Sequence, residues 1–96
     1  MMNTKQKRYL TTLAVQQKPL FQIGKEEPGD TFFDMLDRAL EKRELLKIKV
    51  LKTAVGDSRE LARVLAEKTN SEIVQEIGHR IVLYRRSGKN PVIRLP

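Results

Sequence analysis

Apolar residues recur at helical spacing in three segments of this chain, and the first segment lies near the amino terminus. The stretch KQKRYLTTLAV carries an apolar stripe that a helix would bury, formed by Leu10, Leu13 and Ala14. Three basic residues lie off that stripe: Lys5, Lys7 and Arg8. Thr4 is placed to cap the start of this helix. We expect the pair Lys18-Pro19 to end it, because the residue before a proline disfavours helical geometry.

Two further segments keep the same period. From Thr31 to about Arg43 the apolar positions predict an amphipathic helix: Phe32, Phe33, Leu36, Ala39 and Leu40. Farther along, Asp57 followed by Glu60 predicts a capping box, in which each side chain accepts a hydrogen bond from the other residue's backbone N–H. The helix behind it carries the stripe Leu61, Val64 and Leu65. It is expected to end near Asn70.

Strand patterns lie between and after these helices. The run LFQI predicts a short strand that ends at Gly24. The run LLKIKVLK alternates, with Leu46, Ile48 and Val50 on one face and Lys47 and Lys49 on the other, which predicts that one side of the sheet is open to solvent there. EIVQEIG and RIVLYRR flank Gly78-His79, a pair typical of a tight hairpin. The tail SGKNPVIRLP is expected to be extended.

The order helix, strand, helix, strand, helix, strand, strand predicts one compact α/β domain over residues 1–96. It should contain a four-stranded mixed sheet and three helices. Two strand-helix-strand crossovers imply a parallel core with right-handed connections, to which the final hairpin adds an antiparallel member. A chain of 96 residues buries a single core, and 40% apolar residues suffice for it.

The distribution of charge along the chain limits the classes of partner that the protein is expected to bind. The net charge is +7, and residues 1–25, 47–56 and 77–96 contain no acidic residue. If the two ends meet in the fold, one face becomes a positive field suited to a polyphosphate; a generally soluble basic surface is the alternative. Without cysteine the chain has no disulfide or thiolate site, and it has no apolar run of membrane-spanning length and no secretory leader. These features favour the cytoplasm and no membrane partner.

The sequence offers little for catalysis. The single histidine, His79, falls in the predicted hairpin turn, where a solvated role is favoured over that of a base or metal ligand. Asp34 and Asp37 share a helix face, but a solvated face with Arg38 nearby explains them better than an acid and base pair. One histidine and no cysteine argue against a zinc site. We therefore expect no enzyme activity, no metal, no cofactor and no small-molecule substrate.

Four aromatic residues could stack on nucleic-acid bases or pack in the core. Phe32 and Phe33 keep the helical spacing of the apolar stripe, which favours core packing for at least one of them. Tyr9 and Tyr84 each stand beside basic residues, as tyrosines at nucleic-acid sites do. A ring in the core with its hydroxyl at the rim is nevertheless the favoured interpretation for both tyrosines.

A candidate phosphate site lies between the first strand and the second helix. The junction after Gly24 offers free backbone N–H groups and the positive end of a helix dipole. RNA-binding domains use a G-x-x-G clamp of this kind. In this chain the segment reads Gly24-Lys25-Glu26-Glu27, so the second glycine is replaced by an acid and the clamp is incomplete. Two glutamates there also favour a plain turn.

Several blocks in order resemble one known family. TKQKRYL..LA, KP.FQIGK, AL.KREL.KIKVL, E.VQ.IG and IVLYR resemble the bacterial YhbY proteins, the free-standing form of the CRM domain, from about Thr4 to Pro96. The resemblance implies a fold akin to the C-terminal domain of bacterial initiation factor three, RNA binding without catalysis, and association with precursors of the large ribosomal subunit. Gly24 and Lys25 match the family's loop. Glu26 and Glu27 depart from it, and Val15 stands where the family tends to have histidine.

Residues and resemblance together predict an RNA-binding assembly factor, expected to be a monomer, that contacts large-subunit ribosomal RNA or a pre-ribosomal particle through a basic face. The candidate RNA-binding residues are Lys5, Lys7, Arg8, Lys18, Gly24, Lys25, Lys47, Lys49, Arg85 and Arg86. An alternative is a protein-binding module that docks on a ribosomal protein or an assembly GTPase through apolar surface. A small enzyme is a third and weaker alternative.

Overall fold

The structure, a computed structural model, describes residues 2–26, 28–52 and 57–96. Within these ranges the chain forms the predicted series of helices and strands. They are α1 (Thr4–Val15), β1 (Phe21–Ile23), α2 (Asp30–Arg43), β2 (Leu45–Val50), α3 (Ser58–Thr69), β3 (Glu72–Ile77) and β4 (Arg80–Tyr84). None of the helices in the described ranges has the length and apolar character needed to cross a membrane.

The four strands form one mixed sheet in the order β1-β2-β4-β3. Only β1 and β2 pair in parallel; β4 pairs antiparallel with both β2 and β3. The expected parallel core is therefore wrong beyond the first pair, because β4 enters between the two strands that α3 connects. The hairpin itself is confirmed, with positive φ angles of 54° at Gly78 and 62° at His79. The apolar sequence of β4 suits this central position, since its residues from Ile81 onward are buried.

Helices α2 and α3 cover one face of the sheet. Their apolar stripes meet the inward side chains of β2 and β4 in a single cluster, which contains every predicted stripe residue of these helices except Val64. Its fully buried members include Leu36 and Leu40 from α2, Leu65 from α3, Ile48 from β2 and Ile81 from β4. Phe32 and Phe33 pack against this cluster and touch each other edge to face, so both are core residues.

Helix α1 covers the other face, which corrects the expectation of an open side. Leu10 and Ala14 are buried there against Leu45, Val82 and Tyr84. The end of β2 that carries Lys49 stays exposed on this face. The prediction from the β2 pattern was wrong because alternation shows only which residues point away from one core. It does not show whether a second layer of structure covers those residues.

The carboxyl-terminal tail also packs on the α1 side of the sheet, so the two ends of the chain meet. Ile93 and Leu95 pack against the cluster that contains Leu10. The side-chain amide of Gln6 donates to the carbonyl of Pro96 at 3.2 Å. Helix α1 and the last residues of the tail therefore share one side of the sheet.

Two glutamates at the end of α2 hold this tail. Glu44 is fully buried, and its carboxylate accepts the backbone amide hydrogens of Ser87, Val92 and Ile93 at 2.7, 2.8 and 2.6 Å. Glu41 accepts the hydroxyl of Ser87 and the amide of Gly88. A buried charge is tolerated only when it is well hydrogen-bonded, and these donors meet that condition.

The helix starts differ in detail from the predictions. Asn3, and not Thr4, caps α1: its side chain accepts from the amide of Gln6, whose side chain accepts from the amide of Asn3. The helix ends at Val15, before the expected stop at Lys18-Pro19. Asp57 caps α3 as predicted, whereas Glu60 pairs with Arg63 instead of completing the capping box.

Candidate nucleic-acid interface

The outer surface of α1 is a row of cations. Leu10 and Ala14 bury one side of the helix, so the basic residues Lys5, Lys7 and Arg8 remain exposed. The helix contains no acidic residue. None of the ion pairs formed among the described residues includes these three cations. The three side chains are exposed, as the apolar stripe predicted, and their contact with phosphate groups stays a prediction.

The opposite helical layer is different, because α2 and α3 together carry six acidic and six basic residues, so their charges balance. Arg63 contacts both Glu60 and Glu67 along α3. The two carboxylates raise the pKa of Arg63 above its ordinary value, first through the hydrogen bond that Arg63 donates to Glu60. Arg59 lies 3.7 Å from Glu76. Because α1 carries basic and no acidic residues while α2 and α3 are balanced, the α1 side is the more positive side of the molecule.

The predicted loop lies at the end of β1, next to the start of α2. Gly24 is half-buried, and a Cβ placed on it would lie 3.4 Å from the Leu51 side chain, which is a tight contact. Lys25 and Glu26 are exposed. Glu27, the residue that replaces the second glycine of the clamp, lies outside the described residues.

The start of α2 borders this loop. Its N-cap is Gly29, which has no side chain to accept from the first-turn amides. The loop and this first turn line a cleft of about 580 Å³, with Met35 among its walls. Met35 is 49% exposed, so its side chain lies at the surface of this cleft. Free amides and the positive helix end suit an anion here, while Asp30 and Glu26 oppose one.

Lys47 and Lys49 were both predicted to bind RNA, but the structure places them in different environments. The Lys47 side chain is half-buried beneath α1, and its Nζ donates to the carbonyl oxygens of Ala14 at 3.2 Å and Gln17 at 3.5 Å. It therefore stabilises the carboxyl end of α1. Lys49 is exposed. Lys18 is also exposed, in the connection between α1 and β1.

Arg85 and Arg86, also both predicted to bind RNA, likewise lie in different environments. The guanidinium of Arg85 donates to the side chain and the backbone carbonyl of Asp37, and to the carbonyl of Thr69 at 2.8 Å. It joins α2 to the end of α3 and is committed to the fold. Arg86 is exposed beside the tail. Asp37 thus has an ion-pair partner in Arg85, and not in the neighbouring Arg38 that the helical pattern suggested.

The two tyrosines also differ. Tyr84 is buried in the core, and burial first and Glu44 second raise the pKa of its phenol. The core interpretation is therefore confirmed for Tyr84. It is wrong for Tyr9, which lies 40% exposed on α1 next to Arg8. Tyr9 can offer an aromatic face beside the cations.

Two cations near the hairpin were not singled out by the sequence. Arg80 is the Cα partner of Lys49, and Lys52 lines the same cleft as both. The strand order that places β4 beside β2 creates this neighbourhood, and no local pattern encodes it. His79 is exposed in the turn, as predicted. No group of three or more potential metal ligands occurs within the described ranges.

The fold and this surface define a small α/β domain with a basic side built from α1, the β1–α2 loop and the end of the sheet. The chain belongs to the CRS1/YhbY (CRM) domain family, whose model matches residues 2–85. Family membership confirms the resemblance seen in the sequence.

Individual relatives match over almost the full chain. The Bacillus subtilis protein named "Probable RNA-binding protein YqeI" is 41% identical over 96 residues, covering all of both chains. An RNA-binding protein of Haemophilus influenzae is 32% identical over 95 residues, covering 99% of this chain and 95% of its own. The solution structure of a hypothetical Staphylococcus aureus protein, described as a candidate RNA-binding protein, is 48% identical, with a TM-score of 0.82 and full coverage of both chains.

Proposed function

We propose that this protein binds RNA without catalysing a reaction, and that its RNA is the ribosomal RNA of large-subunit precursors, whose assembly it assists in the cytoplasm. The observation that carries the proposal is the set of exposed cations on α1, Lys5, Lys7 and Arg8, which form no ion pair with the described residues. The opposite helical layer carries equal numbers of acidic and basic residues. A surface with one unneutralised side attracts a polyanion and orients it.

The β1–α2 loop is the second part of the proposed site. Gly24 allows close approach of a backbone, Lys25 adds a cation, and the α2 start adds amides and a dipole. Glu26 lowers the affinity of the loop for phosphate, since it is an exposed negative charge in the same segment. We assign most of the affinity to phosphate contacts from α1, with a smaller contribution from the loop.

The family and its relatives support RNA as the class of partner. The matching relatives carry RNA-binding names, and the chain shares 41% of its residues with one of them over its whole length. The choice of large-subunit RNA rests on the resemblance to YhbY proteins and is open to direct test.

Crosslinking in living cells tests the proposal. The tagged protein is irradiated with RNA in place, and the bound fragments are sequenced. We expect crosslinks to concentrate on precursor large-subunit ribosomal RNA and to diminish when Lys7 and Arg8 are replaced by Glu. Crosslinks spread evenly over messenger RNA, or no more frequent than in untagged cells, would overturn it. Retention on assembling particles after RNA digestion would instead indicate docking on a protein.

A further inference from the structure

One row of side chains crosses the sheet on its α1 side, beyond the part that α1 covers. Register pairs Gln22 of β1 with Lys49 of β2, Lys49 with Arg80 of β4, and Arg80 with Ile77 of β3. All four residues are exposed. They lie on the α1 side because the next row, which contains Ile48, faces the α2 and α3 core, and successive strand residues alternate faces. The sheet therefore presents a solvent-exposed strip.

The centre of this strip is a pair of like charges. Lys49 and Arg80 are direct partners in an antiparallel pair, where side chains of equal charge repel. Their strip neighbours, Gln22 and Ile77, carry no charge, and neither cation takes part in an ion pair among the described residues. Among the described residues, no ion pair offsets the repulsion between these two neighbouring cations. A phosphate group bound between the two cations would relieve it.

Two more side chains extend this cationic surface. The hairpin turn at Gly78 and His79 folds back on the end of β2, where the amide of Val50 donates to the carbonyl of His79 at 2.7 Å. A cleft of about 340 Å³ results, and its walls include Lys49, Lys52, His79 and Arg80. No acidic side chain is among the described residues that line it.

This surface is continuous with the proposed loop site. Gln22 lines the loop cleft and is the register partner of Lys49. Leu51 lines the hairpin cleft and lies next to the loop glycine, because its amide donates to the carbonyl of Ile23 at 2.8 Å. Neighbouring strands lie roughly 4.8 Å apart, so the path from β1 over β2 to β4 is about 10 Å. One nucleic-acid strand can follow it from the loop to the hairpin.

We propose that Lys49 and Arg80, with Lys52 and His79 beside them, form a second phosphate-binding surface that receives the RNA strand as it leaves the β1–α2 loop. The ligand class is the phosphodiester backbone of single-stranded RNA. The proposal rests on the RNA-binding function above and extends the site across the sheet, to three residues that the sequence did not indicate.

A matched pair of double variants tests it. Lys49→Gln with Arg80→Gln removes the central cations, and Lys42→Gln with Arg43→Gln makes the same change of charge elsewhere. Lys42 and Arg43 are exposed in the last turn of α2, on the layer that covers the other face and near the opposite end of β2. Binding of a fluorescein-labelled, short single-stranded RNA is followed by fluorescence anisotropy over a series of salt concentrations.

We expect the Lys49 and Arg80 variant to bind about tenfold more weakly at low salt, and its log–log salt slope to fall by roughly 1.4 because two phosphates of single-stranded RNA are no longer neutralised. The Lys42 and Arg43 variant should keep almost all of the wild-type affinity and slope. Urea unfolding should show that the first variant is at least as stable as the wild type, because the repulsion is gone. If Lys49 and Arg80 had only a structural role, their replacement would not weaken RNA binding while leaving the stability undiminished.

Three outcomes would contradict the proposal, and they are distinguishable. If the wild type binds and Lys7→Glu with Arg8→Glu weakens it, but the Lys49 and Arg80 variant binds normally, the sheet surface is not used. Equal weakening by the Lys42 and Arg43 variant would show that only total charge matters. If the wild type itself shows no salt-dependent RNA binding, the proposed function fails, and this inference fails with it.

Discussion

The ammonium group of Lys47 donates to the backbone carbonyl of Ala14, 3.2 Å away at the carboxyl end of α1. This contact joins the sheet to the helix that carries the proposed RNA-binding cations. A cation at the end of a helix meets unpaired carbonyls and the negative end of the dipole. Lys47 therefore contributes to the position of α1, while its strand neighbour Lys49 remains exposed.

Replacement of Lys47 by Met should destabilise the protein. Met preserves most of the aliphatic stem and removes the ammonium group, so the change in stability reports the two hydrogen bonds to carbonyls. We expect the free energy of unfolding in urea to fall by about 1–2 kcal/mol. Lys49→Met is the matched control, in the same strand and on the same face, and should be nearly neutral. Equal stability of the two variants would contradict the role given to Lys47.

Ile48 tests the assignment of the strand faces. It is fully buried between β2 and the α2 and α3 layer, so Ile48→Ala removes buried surface and leaves a cavity. The expected cost is about 2–4 kcal/mol of unfolding free energy. Lys49→Ala, one residue later and exposed, should cost little. Similar losses in the two urea titrations would mean that the faces are wrong.

Glu44 should make stability depend on pH. Burial raises the pKa of its carboxyl, but the amide hydrogens of Ser87, Ile93 and Val92 outweigh burial and hold that pKa below its ordinary 4.5. A carboxyl with a lowered folded-state pKa stabilises the fold above its unfolded pKa and loses that contribution as pH falls through the folded one. The free energy of unfolding should therefore decline below about pH 4.5.

The variant Glu44→Gln isolates this contribution. Its side-chain NH₂ would face the amide hydrogen of Ser87, so a donor would meet a donor in a buried site. We expect a loss on the order of 2–3 kcal/mol at neutral pH and a shallower decline on acidification. The measurement is urea unfolding from neutral to acid pH. An unchanged acid slope in this variant would assign the acid sensitivity to other carboxyls.

Local sequence predicted the elements well because each carries its own pattern. The stripe of Leu36 and Leu40 predicts a helix wherever it packs, and Gly78-His79 predicts a hairpin regardless of its neighbours. The strand order could not be predicted from these local patterns, since the place of β4 beside β2 depends on packing across the whole sheet. The contact of Glu44 with Ile93, 49 residues away, is equally invisible to a local pattern.

For the candidate site, too, local patterns were predictable from the sequence and long-range contacts were not. The cations of α1 were found because the apolar stripe fixes which side of the helix faces water. Lys47 and Arg85 looked equivalent to their neighbours in the sequence, yet both are hydrogen-bonded within the fold. Arg80 was missed because its partner Lys49 is distant along the chain and is brought beside it only by the sheet.

The loop offers a gain-of-function prediction. Replacing Glu26 and Glu27 by Gly restores the family pattern and removes two negative charges, each expected to repel a nearby phosphate by about 1 kcal/mol. RNA binding should tighten about tenfold at low salt, with a smaller gain as salt rises. Anisotropy titrations of the folded variant measure both effects. If the variant binds RNA no better than the wild type at any salt concentration, the loop only turns the chain and does not contribute to RNA binding.

The most direct test of RNA binding through α1 is the salt dependence of that binding when the α1 cations are reversed. Lys7→Glu with Arg8→Glu should weaken binding of labelled ribosomal RNA fragments by well over tenfold, and the log–log salt slope should fall by roughly one for each phosphate group that the variant no longer binds. Lys42→Glu with Arg43→Glu, on α2, should change the slope far less. A folded α1 variant whose binding curves match the wild type at every salt concentration would contradict the assignment of RNA binding to this face.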